Sequence, residues 1–278
     1  MKECIGNYFI LNGKLEPSAE FDNSLVYKGD SVYEVIRVTG GVPIFFDDHF
    51  KRLENSLSLQ HFSSLADFDK LKKDIVALVN SDRRKEINIK LVFNYNEGND
   101  NYLAYYIESI YPTPEQYRKG VKGVLFYAER KNPHSKVINY KLRSDIHQEL
   151  MNEGAYEALL VNDENLVTEG SKSNIFFLKD DLLVTAPDEV ILKGVTRKHI
   201  LEICREQGIR MEFRCADADD IAKYDAVFMT GTSPMVLPFC CINDVHFNSG
   251  FPVFEKLRNE YLSRVNDSIN QFKNSTGS

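Results

Sequence analysis

Val167-Thr168-Glu169-Gly170-Ser171-Lys172-Ser173-Asn174-Ile175-Phe176 sets one acidic side chain beside a small polar turn, with a strand-like run on either side. Upstream, Lys136-Val137-Ile138-Asn139 follows the polar segment Arg130-Lys131-Asn132-Pro133-His134-Ser135, where a loop enters a buried element. Downstream, Leu192-Lys193-Gly194-Val195-Thr196-Arg197 joins a glycine to the start of a helix. Each has a plain structural reading. Glu169 suits an exposed turn or a 168–171 turn network, Lys136 a surface lysine, and Thr196 a helix cap.

The surrounding chain narrows the classes. Its 278 residues fit one large domain or two modest ones, with apolar and charged fractions ordinary for a globular protein. A formal charge of −7, with no Lys/Arg block, argues against non-specific nucleic-acid binding. No apolar run approaches the ~20 residues of a membrane span. Residues 1–8 lack the pattern of a signal peptide, so a cytoplasmic location is expected. The cysteines, Cys4, Cys204, Cys215, Cys240 and Cys241, have neither C-x-x-C spacing nor paired histidines, so neither disulfides nor a metal site is expected.

Periodicity divides the chain further. Residues 8–11 and the Asn12-Gly13 turn read as a hairpin, and 32–38 as a strand. A helix capped by Asp47 or Asp48 carries Phe50, Leu53 and Leu57, and a second carries Leu65, Phe68, Leu71, Ile75 and Leu78. Ile87, Ile89, Leu91, Phe93 and Tyr95 alternate as a strand, then residues 96–101 turn into 102–107. Pro112 and Pro114 mark a linker. The expected fold is therefore mixed α/β (α+β): a small domain over residues 1–113 and a larger one over 114–278. The second has strands at 121–127, 157–161, 174–178, 182–185 and 226–230, helices at 140–152, 197–207 and 254–274, and a frayed ending.

The three opening stretches point to one chemistry. An aldehyde cofactor needs a lysine that is neutral often enough to attack, which Lys136 could supply, with Lys141, Lys90 and Lys193 as rivals. A carboxylate such as Glu169 beside a pyridine nitrogen keeps that ring protonated and able to accept electrons. Gly194, Val195 and Thr196 can offer backbone N–H groups and a helix dipole to a phosphate. Thr230-Gly231-Thr232-Ser233 offers a second polar set, and Arg52 a fixed charge, although an arginine there ordinarily serves a solvated helix face. His49 and His199 fit ordinary helix positions. Together the stretches suggest a pyridoxal-phosphate enzyme.

With those residues in view, the chain resembles the class IV aminotransferases, the fold-type IV pyridoxal-phosphate family. That family includes branched-chain aminotransferases, D-amino-acid aminotransferases and 4-amino-4-deoxychorismate lyases. The likeness covers roughly residues 25–240. Gly29-Asp30-Ser31-Val32-Tyr33-Glu34-Val35-Ile36-Arg37 looks like the family's G-D-x-x-[FY]-E-x-x-[RK] strand, and His49-Phe50-Lys51-Arg52-Leu53 follows it. Lys136 to Asn139 resembles K-x-x-N, and Thr168 to Phe176 resembles T-E-G-x-x-S-N-x-F.

The resemblance implies that Lys136 is the catalytic Schiff-base lysine, that Arg52 binds the phosphate and that Glu169 meets the pyridine nitrogen. It implies that Leu192 packs on the ring, that Val195, Thr196 and Thr232 hold the phosphate, and that Tyr140 reaches the phenolic oxygen. Tyr33, Arg37 and Tyr95 are candidate substrate contacts, and Lys172 stands where some relatives carry a serine. No arginine stands in the strand of residues 91–96, where D-amino-acid enzymes carry one, and the branched-chain Tyr/Arg pair is absent too. The expected function is amino transfer between an amino acid and a 2-keto acid, by a homodimer with the cofactor at the domain interface. The alternative is 4-amino-4-deoxychorismate lyase, which releases pyruvate and 4-aminobenzoate.

Overall fold

The strand expected at residues 87–95 is central to a unit of the chain made of Met1–Ile110, Ser135–Ile138 and Val265–Ser278. The structure, a computed structural model, describes residues 3–130 and 132–276. In this unit β1 (Tyr8–Leu11) and β2 (Lys14–Pro17) form a hairpin, with Asn12 and Gly13 at φ 50° and 83°. A two-residue hairpin turn demands such positive φ values. Then come α1 (Ser24–Tyr27), β3 (Asp30–Thr39), β4 (Val42–Pro43), α2 (Phe46–Leu59), α3 (Phe68–Asp82), β5 (Glu86–Tyr95) and β6 (Asn101–Ile107). The strands make an antiparallel sheet in the order β2-β1-β6-β5-β3-β4.

Successive side chains on a strand point to opposite faces. Val32, Ile36, Ile89, Leu91 and Phe93 face the core that α2 and α3 cover with Leu53, Leu57, Leu71 and Ile75. Tyr33, Val92, Leu103 and Tyr105 face a second cluster with Phe9 and Phe21. Besides the alternating apolar residues of β5, Asn88, Lys90 and Asn94 are buried as well. They are tolerated because they are paired: Lys90 Nζ reaches Glu3 Oε1 at 2.5 Å, and Asn94 Nδ2 donates to the Lys28 carbonyl at 2.7 Å. α2 begins after Phe45, at φ 52°, with no side-chain cap. The expected caps Asp47 and Asp48 instead sit in its first turn, where they complement the helix dipole.

The other unit comprises Tyr111–His134 and Asn139–Arg264. Within the stretch read as a linker, α4 (Pro114–Lys119) forms, with Pro114 in its first turn and Thr113 and Gln116 in a reciprocal capping box. Proline costs nothing there, because a first-turn N–H has no intrahelical acceptor to lose. Ser135–Ile138 and the last turns from Val265 belong to the first unit, whereas the sequence reading put everything after residue 113 in one domain. The reason is local. Val137 bridges Val32, and Phe272 packs edge-on against Phe46 at 5.9 Å.

The remaining elements are β7 (Val121–Tyr127), α5 (Tyr140–Glu153), β8 (Glu157–Val161), β9 (Leu166–Gly170), β10 (Asn174–Lys179), β11 (Leu182–Thr185), α6 (Val195–Glu206), β12 (Arg210–Phe213), β13 (Ala216–Asp217), β14 (Ala226–Gly231), β15 (Met235–Ile242), β16 (Val245–His246) and α7 (Pro252–Thr276). The strands form a mixed sheet in the order β12-β11-β10-β14-β15-β7-β8-β9-β13, with β16 on β15. β7 is parallel to both its neighbours, β15 and β8. Val161, Ile175, Phe177, Val227 and Leu237 fill one core of this unit, and Phe176 stacks on Phe228 at 4.9 Å. α7 continues into the ending expected to fray, as far as Thr276. Gly277 and Ser278, also assigned to that ending, lie outside the described residues. No helix among the described residues is long and apolar enough to cross a membrane.

Candidate functional site

In the first unit, α2 lays a polar stripe beside its apolar one. His49, Arg52 and Ser56, with Gln60 at the C-cap, recur at spacings of three and four, so they follow one face of the helix to its end. Arg52 does not lie on a solvated face. Its side chain is 11% exposed and grips Glu34 of β3 twice, Nε to Oε1 and Nη2 to Oε2, each at 2.7 Å. His49 Nδ1 lies 2.8 Å from Glu34 Oε2. An ionised carboxylate can only accept, so Nδ1 carries the proton. Burial alone would raise the Glu34 carboxyl, but Arg52 outweighs it and, with His49, brings it down to about 2. Burial pushes His49 below its ordinary value, aided by the charges of Arg52 and Lys136 and opposed by Glu34.

Further along the stripe, Ser56 and Gln60 hold the segment that carries Lys136. The Lys136 N–H donates to Ser56 Oγ at 3.2 Å, and Gln60 Nε2 donates to Ser135 Oγ at 3.1 Å. The Tyr33 N–H donates to the Lys136 carbonyl at 3.0 Å, which lays the segment along the edge of β3. Val137 faces the same core as Val32, and alternation turns Lys136 to the Tyr33 side. Its Nζ lies 4.9 Å from the Tyr33 ring centroid.

The rival lysines sit differently. Lys90 is buried against Glu3, Lys193 is exposed and paired with Asp188 at 3.4 Å, and Lys141 is exposed on α5. Asn139, the last residue of K-x-x-N, caps α5 by accepting from the Leu142 N–H at 3.1 Å.

In the second unit, Glu169 lies near the end of β9 and is 3% exposed. Arg130 Nε lies 3.1 Å from its Oε1, and the Leu192 N–H donates to its Oε2 at 3.1 Å. Arg130 Nη2 also donates to the Ser171 carbonyl at 2.5 Å. The small turn is held by Glu157, which accepts from the Ser171 hydroxyl at 2.5 Å and the Ser173 hydroxyl at 2.8 Å. Glu169 itself is therefore not the exposed turn residue of the plain reading.

Leu192 is followed within three residues by α6, whose N-cap Gly194 makes no side-chain cap bond. The first N–H groups of such a helix have no intrahelical acceptor and point at whatever precedes it. Thr196 is the second residue of α6, not its cap, and its Oγ1 lies 3.2 Å from the Tyr261 hydroxyl. Arg197 turns inward, with Nη1 on Asp188 at 2.6 Å and Nη2 on the Ala186 carbonyl at 2.8 Å. A Cβ on Gly194 would come within 2.1 Å of Asn174 Oδ1. Thr232 lies half-buried just beyond β14.

The candidate substrate contacts do not all share one place. Tyr33 and Arg37 share one face of β3, with Arg37 Nη2 3.7 Å from Glu86 Oε2. Tyr95 packs with the α2/α3 core on the opposite face of the sheet, stacked on Phe62 at 4.0 Å and donating its hydroxyl to the Ser63 carbonyl at 2.6 Å. Tyr140 is the first residue of α5, 45% exposed and in the second unit. Sequence reasoning gave no role to Glu34, His49, Ser56, Glu157 or Arg130. The three-residue spacing of His49 and Arg52, after a strand whose interior carries Glu34, is the available signal for the first two.

Residues 31–242 match the family described as amino-transferase class IV. A D-alanine aminotransferase of Bacillus licheniformis is 27% identical, with the alignment covering 94% of this chain and 99% of that one. An aminodeoxychorismate lyase of Bacillus subtilis strain 168 is 24% identical, covering 82% and 83%. Among solved structures, a T.th. branched-chain amino acid aminotransferase with pyridoxamine 5'-phosphate matches with a TM-score of 0.85 at 26% identity, over 98% of each chain.

Proposed function

Because this chain belongs to the class IV aminotransferase family, we propose that it transfers an amino group between an amino acid and a 2-keto acid, with pyridoxal 5'-phosphate as cofactor. The observation that carries this reading is the Leu192 N–H on Glu169 Oε2 at 3.1 Å. It ties a buried carboxylate to the open start of α6, and these are the two groups that a phosphorylated pyridine requires. The donor set suits that group: backbone N–H groups and threonines for phosphate, a carboxylate for a ring N–H, and a lysine for an aldehyde.

When bound, pyridoxal phosphate supplies an aldehyde for amine exchange and a ring that accepts electrons. Lys136 is the residue that would hold it, and its Nζ would carry the proton to and from the substrate α-carbon. Glu169, held by Arg130 and Leu192, keeps the ring nitrogen protonated. Val195, Thr196 and Thr232 would bind the phosphate and Leu192 would pack on the ring; Arg52 is proposed as a phosphate ligand in its own right. Tyr33 and Arg37 serve the substrate carboxylate. The working form in this reading is a cytoplasmic homodimer.

The similarity to a lyase favours a second reading on the same residues, elimination of pyruvate from 4-amino-4-deoxychorismate. One experiment separates them: the visible spectrum of the pyridoxal-phosphate-loaded protein after addition of D-amino acids, L-amino acids or aminodeoxychorismate. Bleaching by an amino acid, reversed by a keto acid, is the expected result. Pyruvate release without an acceptor would favour the lyase, and an unresponsive spectrum would overturn both.

A further inference from the structure

We propose that the polar stripe of α2 is a positioning device with two separable ends. Glu34 aims Arg52, and Ser56 with Gln60 sets the position of Lys136. The inference rests on the reading that Arg52 binds phosphate and Lys136 takes the aldehyde.

The first end follows from the guanidinium's shape. Arg52 is planar, and Glu34 takes two of its nitrogens, Nε and Nη2, at 2.7 Å each. A bidentate pair fixes the plane as well as the position of the group. The direction of Nη1, the remaining nitrogen, is then set by Glu34. His49 braces the carboxylate from a third side at 2.8 Å. All three side chains are nearly or fully buried, so the geometry cannot relax into water.

The second end acts on the backbone. Lys136 lies in an irregular segment between Ser135 and Val137, without a helix or strand ladder of its own. Its N–H is taken by Ser56 Oγ, its carbonyl by the Tyr33 N–H, and the preceding Ser135 hydroxyl by Gln60 Nε2. Ser56 is fully buried, so its hydroxyl is committed to this contact rather than to solvent. Arg52, Ser56 and Gln60 are four residues apart in sequence and lie along one line of the helix, so the rigid element between them sets the spacing of guanidinium and lysine backbone.

Pyridoxamine 5'-phosphate tests the ends separately, because it carries the phosphate and the ring but no aldehyde for a lysine to attack. Affinity for pyridoxamine phosphate and the rate of covalent loading with pyridoxal phosphate would be measured on the full chain and its variants. Glu34→Gln is expected to weaken pyridoxamine phosphate binding by roughly 10-fold or more, the effect of one misdirected charged hydrogen bond. In an Arg52→Ala background Glu34→Gln should add nothing, because it acts through that arginine.

Ser56→Ala is expected to slow covalent loading by about 10-fold while leaving pyridoxamine phosphate affinity within about 2-fold. If Ser56→Ala does not fold, Gln60→Leu at a half-exposed position reports the same branch. Variants that change both readouts alike, or an undiminished Glu34→Gln effect without Arg52, overturn the inference. A wild-type protein that binds neither compound refutes the functional reading instead.

Discussion

At Lys136, the deciding contacts are made by the backbone. Serine, glutamine and tyrosine partners fix where the chain lies, and alternation along β3 then turns the side chain to the Tyr33 face. Lys136→Ala should abolish turnover while leaving the urea midpoint almost unchanged, since the side chain is only half-buried. Retention of near-normal activity would shift the role to Lys141. Glu169→Gln keeps the shape of a residue that is 3% exposed but removes its charge. Turnover should fall by about 10²-fold or more with the cofactor still bound, read by single-turnover absorbance changes.

Lys136, Glu169 and Arg52 were nameable from their motifs. Their partners were not, because Glu34 and His49 are joined across a strand and a helix, and Glu157 reaches its serines across fourteen and sixteen residues. Tyr95 shows the limit of periodicity. Alternation told which residues share its face of β5, but not that this face is covered by α2 and α3.

Among the elements, α6 and α2 position most of the proposed chemistry. Gly194→Ala leaves an unstrained backbone at φ −64° but brings a methyl group to Asn174 Oδ1, whose amide also holds the Leu192 carbonyl at 2.9 Å. Cofactor affinity should therefore drop by more than folding stability. Fluorescence titration with pyridoxal phosphate alongside urea unfolding checks this, and equal losses in both would contradict it. The long amphipathic elements were legible because their apolar spacing is strong: Phe50, Leu53 and Leu57 mark α2 without help. α4 is not, because proline breaks a helix interior yet Pro114 occupies the first helical turn, which the Thr113–Gln116 capping box closes. Such caps depend on position within the element rather than on composition.

For the molecule as a whole, pH dependence follows from the buried Glu34–His49–Arg52 group. His49 in the unfolded chain takes up a proton near its ordinary 6.5, while the folded form stays neutral to lower pH. Unfolded Glu34 protonates near 4.5, and the folded form resists to about 2. In both cases the unfolded chain binds more protons, so stability falls as acid is added. The urea midpoint should begin to fall below about pH 6.5, with a further loss between 4.5 and about 2 that Glu34→Gln removes. A flat profile would contradict the assignment. Light scattering should give a mass near twice 31.9 kDa if the homodimer forms.

The division into units was only partly legible at this scale. The chain returns to the first unit at Ser135–Ile138 and again from Val265, and no local pattern announces a segment held by distant partners. The central claim is that Lys136 carries the cofactor. Borohydride reduction of the pyridoxal-phosphate-loaded protein, followed by peptide mass mapping, tests it most directly. A phosphopyridoxyl group on Lys136 is the predicted result; the same group on Lys141 or Lys90, or on no lysine, would contradict it.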